Sequence, residues 1–465
     1  MKQNEIKRRQ FLRMAGLTAA GASLLGSRHV IGRTTRGYLL ESESEYGGFV
    51  VEQLSGDDYP YETDPLRLKR MNEKYTIFSR NVWDPTRQDR PEKTENLTYK
   101  RLVEDKGTVP DNTRLDYAFM AASWATSSFR GSPFYSWHPV TGQVRMMTAD
   151  RLGKWDPSSL EMNWEDATVA VKHAALFYGG SLAGVAKLNP LWLYDPIYSP
   201  TRDDRENTKP FITDGDKLDQ GDDKWQITPS MNRVIVIAFE EDYEAIMNSP
   251  GKLASAATGD GYSRMAVTAF KLSEFIRALG YNAVPAGNGV GLSIPMAIDA
   301  GLGELGRNGL LVTPKFGPRV RIAKVLTDMP LVPDKPISFG VKEFCEACLT
   351  CANDCPSGSI GKGPMTWEGL TTSNNPGALK WYVNQETCYD YNGFSCSNCK
   401  RNCPFNKPNN SWLHKAIREI IKLRSKGLGN VMVNLDQASG YGEQVHSDNF
   451  WESDGSRSIT AREKM

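Results

Sequence analysis

The chain has 465 residues, long enough for two or three domains with an ample core. Its 56 Lys and Arg stand against 55 Asp and Glu, so there is no basic field of the kind that binds nucleic acid. All eight cysteines lie between residues 345 and 403, which argues for bound metal and against a disulfide frame.

In chain order, Lys7-Arg8-Arg9-Gln10-Phe11-Leu12-Arg13 has the form of a twin-arginine export signal. The apolar run after it, Met14 to Leu25, suits a signal peptide and is shorter than the roughly 20 residues that cross a bilayer. Ala20-Gly21-Ala22 lies inside that run, so cleavage and retention as an anchor both stay open. Residues 31–155 are mixed and aromatic-rich. Asp166 to Tyr178 reads as a helix ended by Gly179-Gly180, and residues 184–188 as a short buried strand. The polar stretch 195–229 reads as an inserted surface loop or lid.

Val234 to Phe239 is wholly apolar, the kind of strand buried in an α/β sheet. Ser263 is placed to cap a helix through Leu279, with Gly280 ending it. A strand at 282–285 leads into Gly287-x-Gly289-x-Gly291. Because this lacks the G-x-G-x-x-G spacing of a dinucleotide site, it implies either close approach to a large flat group or plain turn chemistry. A helix over 294–300 and strands near 310–313 and 320–327 complete an α/β domain spanning about 156–335.

The cysteines follow as Cys345-x2-Cys348-x2-Cys351-x3-Cys355-Pro356 and Cys388-x7-Cys396-x2-Cys399-x3-Cys403-Pro404. Two CxxCxxxCP endings are the pattern of a bacterial two-cluster ferredoxin, in which the fourth cysteine of each run serves the other cluster. The expected sets are Cys345, Cys348, Cys351 and Cys403 for one [4Fe–4S] cluster, and Cys355, Cys388, Cys396 and Cys399 for the other. Structural zinc is the weaker alternative. The cluster domain spans about 336–408, and residues 409–465 form a tail carrying Trp412, Trp451 and Gly440-Tyr441-Gly442.

The twin-arginine start, the two cysteine runs, Asp328-Met329-Pro330-Leu331-Val332-Pro333-Asp334-Lys335-Pro336-Ile337, Ala300-Gly301-Leu302-Gly303-Glu304, Phe316-Gly317-Pro318-Arg319-Val320-Arg321 and Glu343-Phe344-Cys345 together resemble the respiratory reductive dehalogenases, over about residues 115–445. That resemblance implies a nitroreductase-like α/β domain holding a base-off corrinoid, followed by the ferredoxin-like domain. Electrons would pass through the clusters to cobalt, and Co(I) chemistry would remove halide from a small organohalide such as a chlorinated ethene or ethane. Tyr262 stands at the family's proton-donor position, with Asn288 and Arg321 as its partners. Trp124, and more weakly Thr258 and Tyr391, match pocket positions, while nearby Phe134, Tyr135 and Trp137 read as core. Gly287, Gly289 and Gly291 would face the corrinoid. No D-x-H-x-x-G motif nominates a lower axial histidine.

The resemblance further implies a small hydrophobic membrane-anchor subunit, a membrane electron donor, a place on the outer face of the cytoplasmic membrane, and room for a homo-oligomer. Two rival expectations are an epoxyqueuosine-reductase-like corrinoid enzyme and a non-catalytic iron–sulfur carrier. The export signal and the lack of basic excess weigh against the first, and the roughly 300 residues before Cys345 against the second.

Overall fold

The computed structural model describes residues 29–33, 37–41, 46–55, 58–88, 114–124, 126–127, 162–198, 219–221, 224–392, 396–406 and 440–451. The twin-arginine run, Phe134, Tyr135, Trp137, Trp412 and most of 195–229 lie outside them.

Strands β1 (His29–Arg33), β2 (Gly37–Glu41) and β3 (Val50–Leu54) form an antiparallel sheet that β12 (Ile337–Ser338) later completes beside β3. Helices α1 (Ile77–Trp83) and α2 (Arg114–Trp124) follow, then α3 (Trp164–Phe177), β4 (Leu182–Lys187), the hairpin β5 (Asp219–Gly221) and β6 (Lys224–Gln226), and β7 (Arg233–Glu240). The long helix α4 (Lys252–Ala278) leads to β8 (Ala283–Ala286) and α5 (Ser293–Asp299). A small hairpin, β9 (Glu304–Leu305) with β10 (Leu311–Val312), precedes β11 (Val320–Thr327). The cysteine region carries α6 (Val341–Cys348), α7 (Gln385–Asn392) and α8 (Asn398–Arg401).

The central sheet runs β4-β7-β11-β8, and every pairing in it is antiparallel. An apolar run such as Val234–Phe239 suggests a parallel sheet, yet the cause here is burial on both faces. Val185, Ile235, Ile237, Phe239, Ala323 and Val325 pack under α3 and α4. The alternate residues Val234, Val236, Ala238, Ile322 and Leu326 pack under α5 and Trp192. Period-two alternation thus sorts β7 and β11 between two cores. It also puts Arg321 on the α4 side and Lys324 on the α5 side.

Helix α4 begins at Lys252, eleven residues before the expected cap at Ser263. Gly259 and Gly261 look like helix breakers in the sequence, but inside α4 they are points of close approach. A Cβ on Gly259 would lie 2.5 Å from Trp124 Cδ1, and one on Gly261 would lie 2.8 Å from Arg321 Cγ. Ser263 instead donates from Oγ to the Ser123 carbonyl, fastening α2 to α4 at 2.7 Å. In an open helix Gly→Ala would stabilise by about 1 kcal/mol. For Gly259→Ala we expect the opposite sign, a loss of about 1–3 kcal/mol from overpacking against a rigid indole, read as a lowered Tm.

The N-terminal segment and the tail brace the two halves. Buried Arg80 and Arg87 reach Asp84, Glu386 and Asp390, which pins α1 to α7. The tail helix Ser447–Trp451 docks on α2 through Trp451 Nε1, which donates to Asp116 Oδ1 at 2.6 Å.

Candidate active site and cluster-binding cysteines

Tyr262 lies mid-helix in α4, on the face turned to β11 and the β8–α5 loop. Its hydroxyl accepts from Asn288 Nδ2 at 2.7 Å, and Arg321 Nη1 stands 3.5 Å away. The Arg321 guanidinium also sits over the phenol ring, 4.6 Å from its centroid. Trp124 stacks on the other side with centroids 5.3 Å apart at 28°, its Nε1 held by the Ser255 carbonyl. Four expected site residues (Tyr262, Asn288, Arg321 and Trp124) are therefore brought together around one phenolic oxygen. A phenol held this way has an amide fixing its hydroxyl and a cation placed to stabilise a phenolate, an arrangement able to give up a proton.

Thr258, one helical turn before Tyr262, is buried and donates to Glu241 Oε1 at 3.0 Å, so it belongs to the layer behind the phenol. Tyr391 lies on α7 with Cys388. In the loop, Gly287, Asn288 and Gly289 are exposed. A Cβ on Gly287 or Gly289 would meet nothing nearer than 3.8 Å, whereas one on Gly291 would strike the Trp192 carbonyl at 2.4 Å. Gly291 is thus explained by packing, while Gly287 and Gly289 border open space. The positive φ in this loop falls on Val290, at 77°, and not on a glycine or on Asn288. Lys324, wholly buried in β11, straps that loop through the carbonyls of Gly289 (3.3 Å) and Gly291 (3.1 Å) and through Ser293 Oγ (2.8 Å). Burial pushes its ammonium down to about 7, against the pull of Glu73.

Two residues that the sequence did not nominate stand behind the phenol. Glu241, fully enclosed, accepts from Arg321 Nε at 3.2 Å and from Lys400 Nζ on its other oxygen. Burial alone would raise its carboxyl, but Lys400 and Arg321 hold it down at about 2. Lys400 follows Cys399 in α8.

Cys345, Cys348, Cys351 and Cys403 line one cavity, closed by Arg307, Phe344 and Phe405. Cys396, Cys388 and Cys355 lie near enough to Cys399 to raise its thiol, Cys399 in turn raises Cys351 of the first cavity, and Cys388 is the exposed one. Local structure explains the wrapping. Glu304, buried, accepts from the amides of Phe339 (2.5 Å) and Val341 (3.3 Å), which seats the start of α6. Leu349 takes φ 52° between Cys348 and Cys351, turning the chain around the cavity. Arg307 binds the carbonyls of Cys345 and Gly361 at 2.9 Å each and covers Trp381 at 4.4 Å.

Burial raises the Cys345 and Cys399 thiols to about 12 and the Cys403 thiol well above its ordinary value, with neighbouring thiols adding to the effect. Thiolates so close together need a strongly positive centre among them, which an iron–sulfur core provides. Cys355 is the exception. Burial pushes it up, but the Ser357 hydroxyl and the amides of Ser359, Ser357 and Ile360 pull it below the usual thiol range. Among the described residues no group of three or more His, Cys, Asp or Glu is placed to hold a single metal ion.

No family model matches the chain. A tetrachloroethene reductive dehalogenase of Desulfitobacterium hafniense is 32% identical over 97% of this chain and 96% of its own length. That of Sulfurospirillum multivorans is 36% identical over 73% of this chain and 70% of its own. A solved reductive dehalogenase structure, described as suggesting a mechanism for B12-dependent dehalogenation, superposes with a TM-score of 0.59 at 18% identity. The match covers 85% of this chain and 49% of that one, so this chain spans about half the length of that solved protein. With such identity held over nearly its whole length, the chain belongs to the reductive dehalogenase family of oxidoreductases.

Proposed function

We propose that this protein removes halide from a small organohalide, a chlorinated ethene or ethane, using a base-off corrinoid and two [4Fe–4S] clusters. The observation that carries the reading is the single phenol of Tyr262, fixed by Asn288 and flanked by Arg321 and Trp124. It faces a loop whose Gly287 and Gly289 leave open space. The relatives named for tetrachloroethene support the substrate class.

The overall change is R–X + 2e⁻ + H⁺ → R–H + X⁻. A bound corrinoid would supply the metal at which the carbon–halogen bond breaks, and the clusters would supply electrons singly. The chain's own residues supply the rest. Tyr262 delivers the proton, and Asn288 orients its hydroxyl. Arg321 stabilises the phenolate left behind and the charge growing on the departing halide. Trp124 presents a flat apolar wall to an apolar substrate. Gly287 and Gly289 would border the corrinoid, and the two cysteine sets would hold the clusters. In domain terms the reading is a nitroreductase-like corrinoid-binding part followed by a ferredoxin-like part.

The same reading carries the chain through the twin-arginine route to the outer face of the cytoplasmic membrane. There a small hydrophobic subunit anchors it and a membrane donor reduces it. No described helix is long and apolar enough to cross a membrane. Protease treatment of intact spheroplasts checks this placement, and a protected protein would reject it.

The central experiment is halide release by anaerobically reconstituted protein with a low-potential reductant and a panel of chlorinated ethenes and ethanes, with and without cobamide. Cobamide-dependent chloride release is the expected result. Failure to bind cobamide, or full loading with no halide released, would overturn the proposal.

A further inference from the structure

Glu241 carries more positive charge than a buried carboxylate needs. Its Oε1 accepts from Thr258 and from Arg321 Nε, and its Oε2 accepts from Lys400 Nζ. Glu241 is 0% exposed and Lys400 5%. One buried anion is neutralised by one cation, and with Lys400 buried and Arg321 partly so (26% exposed), the second positive charge costs free energy unless negative charge arises near it. The two cations point to two such places. Arg321 lies over the ring of Tyr262, which is anionic after giving up its proton. Lys400 follows Cys399 in a helix of four residues, Asn398–Arg401, beside the second cysteine set.

We propose that Glu241 and Lys400 are positioning residues that couple the Cys399-bearing helix to the Tyr262–Arg321 proton-donor pair, sharing one surplus positive charge between them. The inference rests on the dehalogenase reading above. Glu241 touches none of the cysteines, yet through Lys400 it stands one residue from Cys399 and through Arg321 one contact from the phenol. An electron arriving at the cluster end and a proton leaving the tyrosine end are then stabilised by the same fixed charge. The other charged groups beside the phenol on α4 are paired with each other. Arg264 binds Asp260 at 2.7 Å and also reaches the Glu240 carbonyl. Arg319, on the strand-end side, is engaged by Glu240 at 2.5 Å and by the Glu241 carbonyl at 2.7 Å. That leaves Glu241 as the anion that sets the balance between Arg321 and Lys400.

The test uses the reconstituted holoenzyme and two readouts: the alkaline limb of the pH profile for halide release, and the cluster midpoint potential by EPR redox titration. Glu241→Gln makes both ends more positive. Its alkaline limb is expected to fall by about one pH unit and its cluster potential to rise. Lys400→Met removes a positive charge, so both readouts move the opposite way, and Lys400→Arg restores both. Because Glu241→Gln leaves buried Lys400 and partly buried Arg321 without their carboxylate, the Lys400 pair keeps the test open if that variant fails to fold. A purely structural role predicts lost cluster content or lowered stability with neither readout displaced. Unmoved limbs, or shifts of the same sign in Glu241→Gln and Lys400→Met, would overturn the inference. The EPR titration needs no turnover, so an inactive wild type rejects the dehalogenase reading and leaves the potential shifts to decide the coupling.

Discussion

Tyr262→Phe should lower kcat for halide release by about 10²- to 10⁴-fold, the usual worth of a positioned general acid, while leaving both cofactors bound. The substitution is clean because the ring keeps its stacking on Trp124 and its place under Arg321. It removes one hydroxyl, whose hydrogen bond to Asn288 is 2.7 Å long, so the cost to folding should stay near 1 kcal/mol. The catalytic loss converts to about 3–5.5 kcal/mol of transition-state stabilisation, several times the structural cost. Iron content, corrinoid absorbance and Tm should therefore match the wild type, with turnover alone collapsing. Asn288→Ala should cost less, because the phenol keeps its proton and loses only its orientation. A Tyr262→Phe enzyme retaining more than about a tenth of wild-type turnover would take the tyrosine out of the donor role.

What could be read in advance depended on how local the signal is. The cavity lined by Cys345, Cys348, Cys351 and Cys403 was legible because the short gaps in Cys345–Cys351 constrain the chain directly, and one tight turn at Leu349 suffices to wrap it. Strands β7 and β11 were legible from apolar content, but their antiparallel pairing was not. A strand buried on both faces looks the same whichever way its neighbours run. Helix α4 was cut short because Ser263 has the form of a cap, which left Gly259 and Gly261 outside it. Only the positions of Trp124 and Arg321, over 100 residues before and 60 after in the chain, reveal them as contact points. Glu241 and Lys400 carried no signal of their own. A lone acid after a strand and a lysine after a cysteine are common, and their pairing spans 159 positions. Several of the quoted motif residues have structural work to do. A Cβ on Gly317, just before β11, would lie 2.4 Å from the Phe405 carbonyl, and Asp334 holds Lys172 at 2.8 Å and the Val185 amide at the same distance.

The second large effect belongs to the cysteines, and it should differ between the two sets. Cys403→Ala is expected to halve the iron content, from about eight atoms to about four, and also to destabilise the fold. Cys403 is buried among Phe49, Phe339, Phe344 and Phe405, the aromatic core that joins β3 and β12 to α6. Phe344 and Phe405 meet edge to face at 5.2 Å, and both line the cavity with the four cysteines. A cluster there is part of the core, so its loss leaves a void under two aromatic rings as well as unligated thiols. Cys388→Ala should also halve the iron. Its residue is exposed on α7, a helix already pinned from outside by Arg80 and Arg87, so the fold should tolerate the change better. Iron analysis and EPR of both variants should show one cluster signal lost in each, with the larger drop in Tm for Cys403→Ala. Equal drops would mean that the aromatic core stands without its cluster, and two clusters retained in either variant would take that cysteine out of its set.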